Sequence, residues 1–283
     1  MSKVWQTSQR RINCSDRTLI MGILNVTPDS FSDGGMFNEK DRAIKQAEKL
    51  IEEGADILDI GGESSRPDSD RVSVDKEINR VVPLIAAIRS RFDTPISVDT
   101  SKSEVAREAV SAGAEIINDI SGLRFDDQIG RVARETGAGL VLMHLRGEFE
   151  TMHRLEPADD ILAEVIGGIE SSLEKAREFG VKEDQVCVDV GIGFSKTLKQ
   201  NLELIAKLDK ISHKFVNYPM LVGTSRKSFI GKVLGDIPVD ERLSGTVASN
   251  VISVWNGADI LRVHDVKAVA EAAKVVEAIR KEL

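Results

Sequence analysis

The sequence predicts a (β/α)8 TIM barrel, on the strength of three observations. Eight short apolar runs follow one another along the chain, with amphipathic stretches between them. The runs do not alternate polar and apolar residues, which is typical of strands buried on both faces of a parallel sheet. Glycine followed by a small apolar residue recurs ahead of the runs, at 54–55, 113–114, 137–138, 180–181 and 257–258. Because glycine readily takes the left-handed conformation that ends a helix, each pair marks a helix-to-strand junction.

The predicted strands are, in chain order, Leu19–Asn25, Ile57–Gly61, Ile96–Asp99, Ile116–Asn118, Leu140–His144, Val186–Asp189, Met220–Gly223 and Ile260–His264. Helical spacing of apolar residues predicts helices at Asp41–Glu53 and Val266–Lys281. Strict alternation of the units favours a closed barrel over an open doubly wound sheet with extra strands, which is the alternative. Because linker-like breaks are missing, we expect residues 1–283 to form a single domain.

Three connections are long enough to suggest functional lids. They follow the first strand, follow the second strand at Gly62–Ser73, and surround Arg146–Pro157. We expect the first two to be flexible.

Composition restricts the class of partner. The formal net charge is −8, and the Lys and Arg clusters are short, which argues against nucleic-acid binding. An anionic small molecule would require positive charge concentrated locally, against the sign of the whole surface.

The opening residues and the cysteines indicate a cytoplasmic protein. Residues 1–11 lack the apolar core of a secretory signal, and the sequence contains no apolar run near the roughly 18 residues that span a bilayer. We therefore expect no membrane partner. Cys14 and Cys187 fit neither a disulfide framework nor a zinc site, so they are expected to be plain thiols.

The predicted strands end in polar residues: Asn25, Asp99, Asn118, His144, Asp189, Arg262 and His264. Strand carboxyl ends meet at one face of a barrel, where active sites are built. Each residue could instead cap a helix or set a turn. We expect only that role for Asp119, and a hydrogen-bonded wall position rather than metal binding for His144.

Two carboxylates, Asp99 and Asp59, could belong to the site that these strand ends form. Residues 101–104, Ser-Lys-Ser-Glu, form a capping-box pattern for the third helix, which leaves Asp99 without a structural task. Asp59 lies in the middle of an apolar strand. It could be a buried structural carboxylate or a partner of a site residue, and both readings stay open.

The strongest local signal is Gly223-Thr224-Ser225-Arg226-Lys227-Ser228, followed by Arg262-Val263-His264 at the last strand. Barrels hold phosphate after strands seven and eight, at the start of a short helix, here near Ser228. Residues two apart on a strand share a face, so Arg262 and His264 should project together. Lys227, Arg262 and His264 are read as functional, and Arg226 as a partner in a structural salt bridge.

Two further positions suggest phosphate chemistry. Ser64-Ser65-Arg66-Pro67 pairs hydroxyls with a guanidinium, which suits bidentate phosphate binding, although Arg66 could equally be a solvated surface residue. Asn25, with neither His nor Cys near it, suggests Mg²⁺ shared with phosphate rather than zinc.

Seven motifs in one order resemble the dihydropteroate synthase family over nearly the whole chain. They are Asn25-Val26-Thr27-Pro28-Asp29-Ser30-Phe31-Ser32-Asp33-Gly34-Gly35, Asp59-Ile60-Gly61-Gly62-Glu63-Ser64-Ser65-Arg66-Pro67, Ile96-Ser97-Val98-Asp99-Thr100, Ile117-Asn118-Asp119, residues 189–194, Ser225-Arg226-Lys227-Ser228 and Arg262-Val263-His264.

The resemblance implies a transferase of folate biosynthesis, a pterin-binding barrel enzyme that forms a C–N bond. It would join 6-hydroxymethyl-7,8-dihydropterin diphosphate to 4-aminobenzoate and release diphosphate. Mg²⁺ as cofactor, a homodimer, and inhibition by sulfonamides are implied in the same way.

Site residues are likewise implied by the resemblance. The catalytic group comprises Asp99, Lys227, Arg262 and His264. The pterin binders are Asp99, Asn118, Met143, Asp189, Phe194 and Lys227. The diphosphate binders are Asn25, Ser65, Arg66, Arg262 and His264, and Asn25 is also the metal ligand. The 4-aminobenzoate binders are Phe31, Ser65, Arg66, Pro67, Phe194, Lys227 and Ser228.

Three residues depart from the pattern usual in that family. Ser65 stands where Thr is usual, Val190 where Pro is usual and Ser195 where Gly is common. None of these three departures removes an implied ligand. Two other functions stay open at this point. They are a pterin-binding methyltransferase domain and a non-catalytic protein that binds a pterin or a phosphate.

Overall fold

The structure is a computed structural model that describes residues 3–26, 36–64, 71–152 and 155–282. Eight parallel strands close into a barrel in the order β10-β3-β4-β5-β6-β7-β8-β9, which confirms the predicted fold. The barrel strands are β3 Leu19–Asn25, β4 Ile57–Gly61, β5 Ile96–Asp99, β6 Ile116–Asp119, β7 Gly139–Met143, β8 Val186–Asp189, β9 Met220–Val222 and β10 Ile260–Val263. Each predicted strand is therefore present, with ends within one residue of the prediction.

Helices connect successive strands and cover the outside of the barrel. They are α1 Met36–Glu52, α2 Val74–Arg89, α3 Ser103–Ser111, α4 Gln128–Thr136, α5 Ile161–Glu178, α6 Leu198–Ala206, α7 Leu208–Lys214, α8 Ser228–Val233, α9 Leu243–Trp255 and α10 Val266–Arg280. The two helices predicted by spacing correspond to α1 and α10. Across the described ranges, every helix is too short or too polar to cross a membrane.

The repeated glycines do end helices as predicted. Their φ angles lie between 73° and 117°, in the left-handed region, for Gly54, Gly113, Gly137, Gly180 and Gly257. These positions fix where each helix turns back towards the barrel.

The predicted capping box of the third helix is wrong. Helix α3 begins at Ser103 with Lys102 at the cap position, and Lys102 makes no side-chain cap hydrogen bond. The Ser103 N–H instead donates to Asp126 Oδ2 at 2.7 Å. Asp126, from the β6–α4 connection, thus satisfies the free N–H at the start of α3 in place of a local cap.

A hairpin that the sequence analysis did not predict closes the amino-terminal end of the barrel. Strands β1 Val4–Gln6 and β2 Arg11–Asn13 pair antiparallel, and the fully buried Trp5 donates from Nε1 to Gln185 O at 2.8 Å. Trp5 packs with a layer of inward side chains that includes Met21, Ile57, Ile116, Val141, Cys187, Leu221 and Ile260. Cys14 is buried in the same cluster, so both cysteines are free buried thiols.

Candidate active site

The inward-facing positions change from apolar to polar along β4, β6, β8 and β10. Successive side chains of a strand point to opposite faces, so residues two further on from the buried layer also face inward. In β4 the step is from Ile57 to Asp59, in β6 from Ile116 to Asn118, and the equivalent steps elsewhere reach Asp189 and Arg262. The polar residues therefore collect at the carboxyl end, as the sequence predicted.

Four residues on adjacent strands, Asn25, Gly61, Asp99 and Asn118, lie in one row at this end of the barrel. The strand register places Asn25 beside Gly61, Gly61 beside Asp99, and Asp99 beside Asn118. A Cβ added to Gly61 would lie 3.4 Å from Asn25 Oδ1 and 3.7 Å from Asp99 Oδ2. Because Gly61 has no side chain, Asn25 Oδ1 and Asp99 Oδ2 both border the space that a Cβ there would fill.

Arg262 joins three strands at the centre of the site. Its Nε donates to Asp59 Oδ2 at 2.6 Å, and its Nη2 donates to Asp99 Oδ2 at 2.6 Å. Asn118 Nδ2 also donates to Asp59 Oδ2, at 3.1 Å. The open question about Asp59 is answered, because this fully buried carboxylate positions Arg262 and Asn118.

The ion pairs set the protonation of the group. Burial raises the pKa of Asp99 to about 7, against the opposing effect of the Arg262 guanidinium. Burial alone would lower the pKa of Arg262, but Asp59 and Asp99 together raise it further above its ordinary range. Arg262 is therefore a permanent cation next to a carboxylate that titrates near neutrality.

The loop after β8 presents a second carboxylate and its cation. Asp189 Oδ1 accepts from the Gly191 N–H at 2.8 Å, while burial raises the pKa of Asp189 and Lys227 opposes that change. Lys227 Nζ donates to the Ile192 carbonyl and lies 4.6 Å from the centre of the Phe194 ring. Burial lowers the pKa of Lys227 to about 8, although Asp189 favours its charged form.

A half-buried lysine holds this loop in shape. Lys196 Nζ donates to Gly191 O at 2.8 Å and to Phe194 O at 2.9 Å, and it lies 3.0 Å from His144 Nδ1. Burial lowers the pKa of Lys196 to about 7 and that of His144 to about 2, so the imidazole is a neutral acceptor. His144 is thus the hydrogen-bonded wall residue that was predicted.

Close packing explains why this loop needs glycine. Gly191 has φ 66°, and a Cβ there would lie 2.0 Å from the His144 carbonyl oxygen. Ser195 has φ 53°, which accounts for the glycine common at this position in the family. The Ser195 hydroxyl donates to Arg146 O at 2.9 Å, and the departure from glycine therefore adds a contact to the β7–α5 connection. Val190, the other described departure, is buried.

The turn after β9 contains two cations with different roles, the structural Arg226 and the site residue Lys227. Arg226 donates from Nη2 to Asp265 Oδ1 at 2.6 Å, which confirms its predicted salt bridge. Ser225 Oγ lies 3.0 Å from His264 Nδ1. Ser228 is exposed and begins the short helix α8, as predicted.

A buried charge cluster holds the base of the second loop. Glu63 Oε1 accepts from the Val72 N–H at 2.6 Å and from Lys102 Nζ at 2.9 Å. Lys102 also donates to Glu77 Oε2 at 2.5 Å. The two described ends of this loop are therefore tied to each other and to the segment that follows β5.

An apolar cluster adjoins the loop after β8. It contains Ile120, Met143, Leu145, Phe149 and Met152, with Phe125 and Phe194 packed against it. The Arg71 guanidinium carbon lies 5.3 Å from the Phe125 ring centre and 5.0 Å from that of Phe149. Met143 and Phe194, both predicted pterin contacts, thus belong to the wall of the site.

The structure brings together most of the predicted site residues. One end of the barrel carries Asn25, Asp99, Asn118, Met143, Asp189, Phe194, Lys227, Ser228, Arg262 and His264. Phe31, Ser65, Arg66 and Pro67 lie outside the described residues.

Sequence reasoning missed the supporting residues. It named no role for Lys196 or Ser225, and it left that of Asp59 undecided. A lone carboxylate between Leu58 and Ile60 was a signal, because a buried charge requires a partner. The Glu63–Lys102–Glu77 cluster had no comparable local signal.

Two other concave surfaces lie away from the barrel mouth. A groove of about 640 Å³ runs between α2, α3 and α4, and a hollow of about 690 Å³ lies at the start of α5. In the groove, Arg107 and Arg131 each pair with Glu135 at 2.9 Å. In the hollow, Arg146 pairs with Glu164 at 3.2 Å. The arginines of both linings are thus engaged in ion pairs, and we place the chemistry at the barrel mouth.

Comparison with known proteins agrees with this site. The family model described as pterin binding enzyme matches residues 21–264. The dihydropteroate synthase of Synechocystis sp. is 47% identical over 263 residues, covering 93% of this chain and 90% of the relative. A structure of Xanthomonas albilineans dihydropteroate synthase with 4-aminobenzoic acid has a TM-score of 0.92 at 38% identity, covering 99% of each chain. A Yersinia pestis dihydropteroate synthase with a sulfonamide drug complex has a TM-score of 0.91 at 41% identity, covering 98% of this chain and 99% of that one.

The chain belongs to the pterin binding enzyme family, as its fold and site also indicate. Its relatives within that family are dihydropteroate synthases. The protein is thus a transferase of folate synthesis. It condenses 6-hydroxymethyl-7,8-dihydropterin diphosphate with 4-aminobenzoate to give 7,8-dihydropteroate and diphosphate, and the predicted family is confirmed.

The two titrating groups predict a narrow pH optimum. Asp99, with a pKa of about 7, loses its negative charge as the pH falls through that value, and Lys227, with a pKa of about 8, loses its positive charge as the pH rises. The value of kcat/KM for the pterin diphosphate should therefore fall on both sides of roughly pH 7 to 8.

The Lys227→Arg variant separates these limbs. Arginine stays protonated, so the alkaline limb should move to higher pH while the acid limb stays in place. Steady-state kinetics from pH 5.5 to 9.5 measure both limbs, and titration of the substrates is common to both enzymes. An alkaline limb at the same pH in the variant would show that Lys227 does not set it.

Proposed function

We propose that the carboxyl end of the barrel performs the synthase reaction with a pterin pocket deep in the site and a diphosphate pocket beside it. The observation that carries this proposal is Arg262, which contacts the carboxylates Asp59 and Asp99 in the pocket. The same guanidinium can also bind the diphosphate.

The pterin is recognised through its hydrogen-bonding edge. Asp189 accepts one backbone N–H at Oδ1, and a carboxylate has about four acceptor positions, so it can accept two N–H bonds from the aminopyrimidine. Asn118, held by Asp59, and Lys227 supply further polar contacts. Burial makes this pairing selective, since an unpaired carboxylate at this depth is costly.

Arg262 and His264 bind the diphosphate. A guanidinium has five N–H groups, and the ion pairs to Asp59 and Asp99 use two of them, which leaves three for phosphate oxygens. Since the carboxylates fix the orientation of Arg262, the cation is ready before the anion arrives. Such preorganised charge stabilises a leaving group without reorganisation during the reaction.

The reaction itself exchanges one bond for another. The bond between the pterin methylene carbon and the diphosphate oxygen breaks, and its electron pair leaves with the diphosphate. The lone pair of the aryl amine forms the new C–N bond, and the amine nitrogen loses one proton to water. Asp99 in its ionised form stabilises the cationic methylene between these events through its negative charge.

Mg²⁺ fits the donors at the rim. Asn25 offers an amide oxygen, a ligand type that Mg²⁺ accepts. Within the described residues, no group of three or more His, Cys, Asp and Glu side chains could hold a metal ion. Asn25 would hold the ion through its amide oxygen. When bound, Mg²⁺ would neutralise part of the charge of the leaving group.

The 4-aminobenzoate lies towards the loops. Phe194 and Lys227 form the described part of its slot, and the start of α8 at Ser228 faces its carboxylate. The family resemblance adds Phe31, Ser65, Arg66 and Pro67 to this slot. Ser65 and Arg66 would also reach the diphosphate. Sulfonamides are expected to compete for the same place.

Diphosphate release tests the proposal. Purified protein with the pterin diphosphate, 4-aminobenzoate and Mg²⁺ should form 7,8-dihydropteroate at a rate that depends on the amine. Removing Mg²⁺ with a chelator should slow release, and a sulfonamide should raise the KM for 4-aminobenzoate.

Variants assign the roles in that assay. Arg262→Ala and His264→Ala should each lower kcat/KM for the pterin diphosphate by about 100-fold or more, as for loss of an anion-stabilising donor. Arg107→Met, which removes a surface salt bridge to Glu135 away from the barrel mouth, is the matched cation control and should retain full activity. Equal losses in all three variants would refute the division of roles.

We also propose that the protein is a homodimer. Helices α9 and α10 pack together and expose a set of large apolar side chains, namely Leu243, Ile252, Trp255, Val275 and Ile279. Such a surface is costly to leave in water, and a second copy of the chain would cover it.

Light scattering tests the homodimer. The wild-type protein should show twice the chain mass of 31.0 kDa, and Trp255→Glu should shift it towards a single chain. Val216→Glu is the control, since Val216 is also exposed but lies outside this face. A wild-type mass of one chain would contradict the dimer. The single domain and the cytoplasmic location stay predictions.

A further inference from the structure

We propose that Ser225 is a positioning residue that fixes the tautomer and orientation of His264. The inference rests on the proposed function for the role of His264 in diphosphate binding, but the structural part stands on its own contacts. Ser225 belongs to the turn after β9, whereas His264 follows β10 directly.

The Ser225 hydroxyl contacts His264 at two points. Its oxygen accepts the His264 backbone N–H at 3.1 Å, and it lies 3.0 Å from the ring nitrogen Nδ1. Ser225 is 6% exposed, so water has little access to the hydroxyl. The ring and the backbone of His264 are therefore both tied to one buried atom.

The direction of the ring hydrogen bond follows from the hydrogen count. A serine hydroxyl donates one hydrogen and accepts through two lone pairs. One lone pair receives the His264 backbone N–H, and across the described residues Nδ1 is the acceptor available to the hydroxyl hydrogen. If Nδ1 carried the proton instead, this buried hydroxyl hydrogen would lack an acceptor among the described residues, which is costly. Ser225 thus donates to Nδ1.

This direction decides what His264 can do. A neutral imidazole carries a proton on one nitrogen and accepts at the other, so acceptance at Nδ1 places the proton on Nε2. Nε2 then presents an N–H donor. A donor is the group that a diphosphate oxygen requires, whereas the other tautomer would present a lone pair to the anion.

The surroundings keep this pair in place. Arg226, next to Ser225, is bonded to Asp265, next to His264, at 2.6 Å and 2.9 Å. The Arg226 N–H also donates to Thr246 Oγ1 at 3.0 Å. The two segments are therefore linked directly after the serine and the histidine, which helps to position the ring.

Nitrogen NMR tests the tautomer directly. The chain has four histidines, so a long-range ¹H–¹⁵N spectrum is simple, and the His264→Gln variant assigns the signals of His264. At pH 8 the wild-type ring should carry its proton on Nε2. Ser225→Ala should give a mixture of tautomers, and Ser225→Thr, which keeps the hydroxyl, should restore the wild-type pattern.

Ser249 provides the control. Its hydroxyl donates to Thr224 Oγ1 at 2.9 Å in the same region but makes no recorded contact with His264. Ser249→Ala should therefore leave the His264 signals unchanged. A wild-type ring protonated on Nδ1, or a tautomer unchanged in Ser225→Ala, would overturn the proposal. The wild-type spectrum decides the tautomer even if Ser225→Ala fails to fold.

Kinetics connect the tautomer to the reaction. Ser225→Ala should lower kcat/KM for the pterin diphosphate by about 10-fold to 100-fold, the usual effect of losing a residue that orients a functional histidine. The KM for the pterin diphosphate should rise while the KM for 4-aminobenzoate stays unchanged, whereas a loss of folded enzyme lowers apparent kcat and changes neither KM. If His264→Gln is fully active while the NMR result holds, the diphosphate role of His264 fails and the positioning by Ser225 stands. If His264→Gln is impaired and Ser225→Ala is not, the proposed link to catalysis is wrong.

Discussion

The site depends on a guanidinium held inside the mouth of the barrel. Arg262 occupies an inward position of β10, and a cation there is tolerated only if carboxylates neutralise it. Asp59 of β4 and Asp99 of β5 do so across the barrel mouth, each at 2.6 Å. The remaining features follow from this constraint, because the same carboxylates also position Asn118 and define the row that contains Asn25.

The distribution of charge explains how an acidic protein binds an anion. The chain carries a formal net charge of −8, yet Lys196, Lys227 and Arg262 are concentrated around one end of the barrel. Burial lowers the pKa values of Lys196 and Lys227 towards neutrality although Asp189 opposes the change, whereas Asp59 and Asp99 raise the pKa of Arg262. The positive potential is thus confined to one end of the barrel, and the neighbouring carboxylates reduce its attraction for anions in general.

Much of the fold was predictable because it depends on local signals. Non-alternating apolar runs and helix-ending glycines predicted the barrel, and the polar residues at the ends of six strands predicted the site. The salt bridge of Arg226 was also predicted. These features depend on residues close in sequence or on the symmetry of the barrel, which places all strand ends at one face.

The contacts that complete the site were not predictable in this way. Arg262 and Asp59 are 203 residues apart, and Trp5 reaches Gln185 across 180 residues. The capping box at Ser101 failed for a similar reason, since Asp126 supplied a tertiary partner for the Ser103 N–H. Sequence patterns indicate which residues are available, whereas packing decides which partners they meet.

A double-mutant cycle on the affinity for the pterin diphosphate tests the central claim most directly. Titration calorimetry should be made on the wild type, Asp59→Asn, Arg262→Met and the double variant, with 4-aminobenzoate absent. If Asp59 acts by holding Arg262, its replacement should weaken binding in the wild type but add little once Arg262 is gone, a coupling of about 1 to 3 kcal/mol. Additive effects of the two replacements would show that the carboxylate and the guanidinium act separately, and would contradict this account.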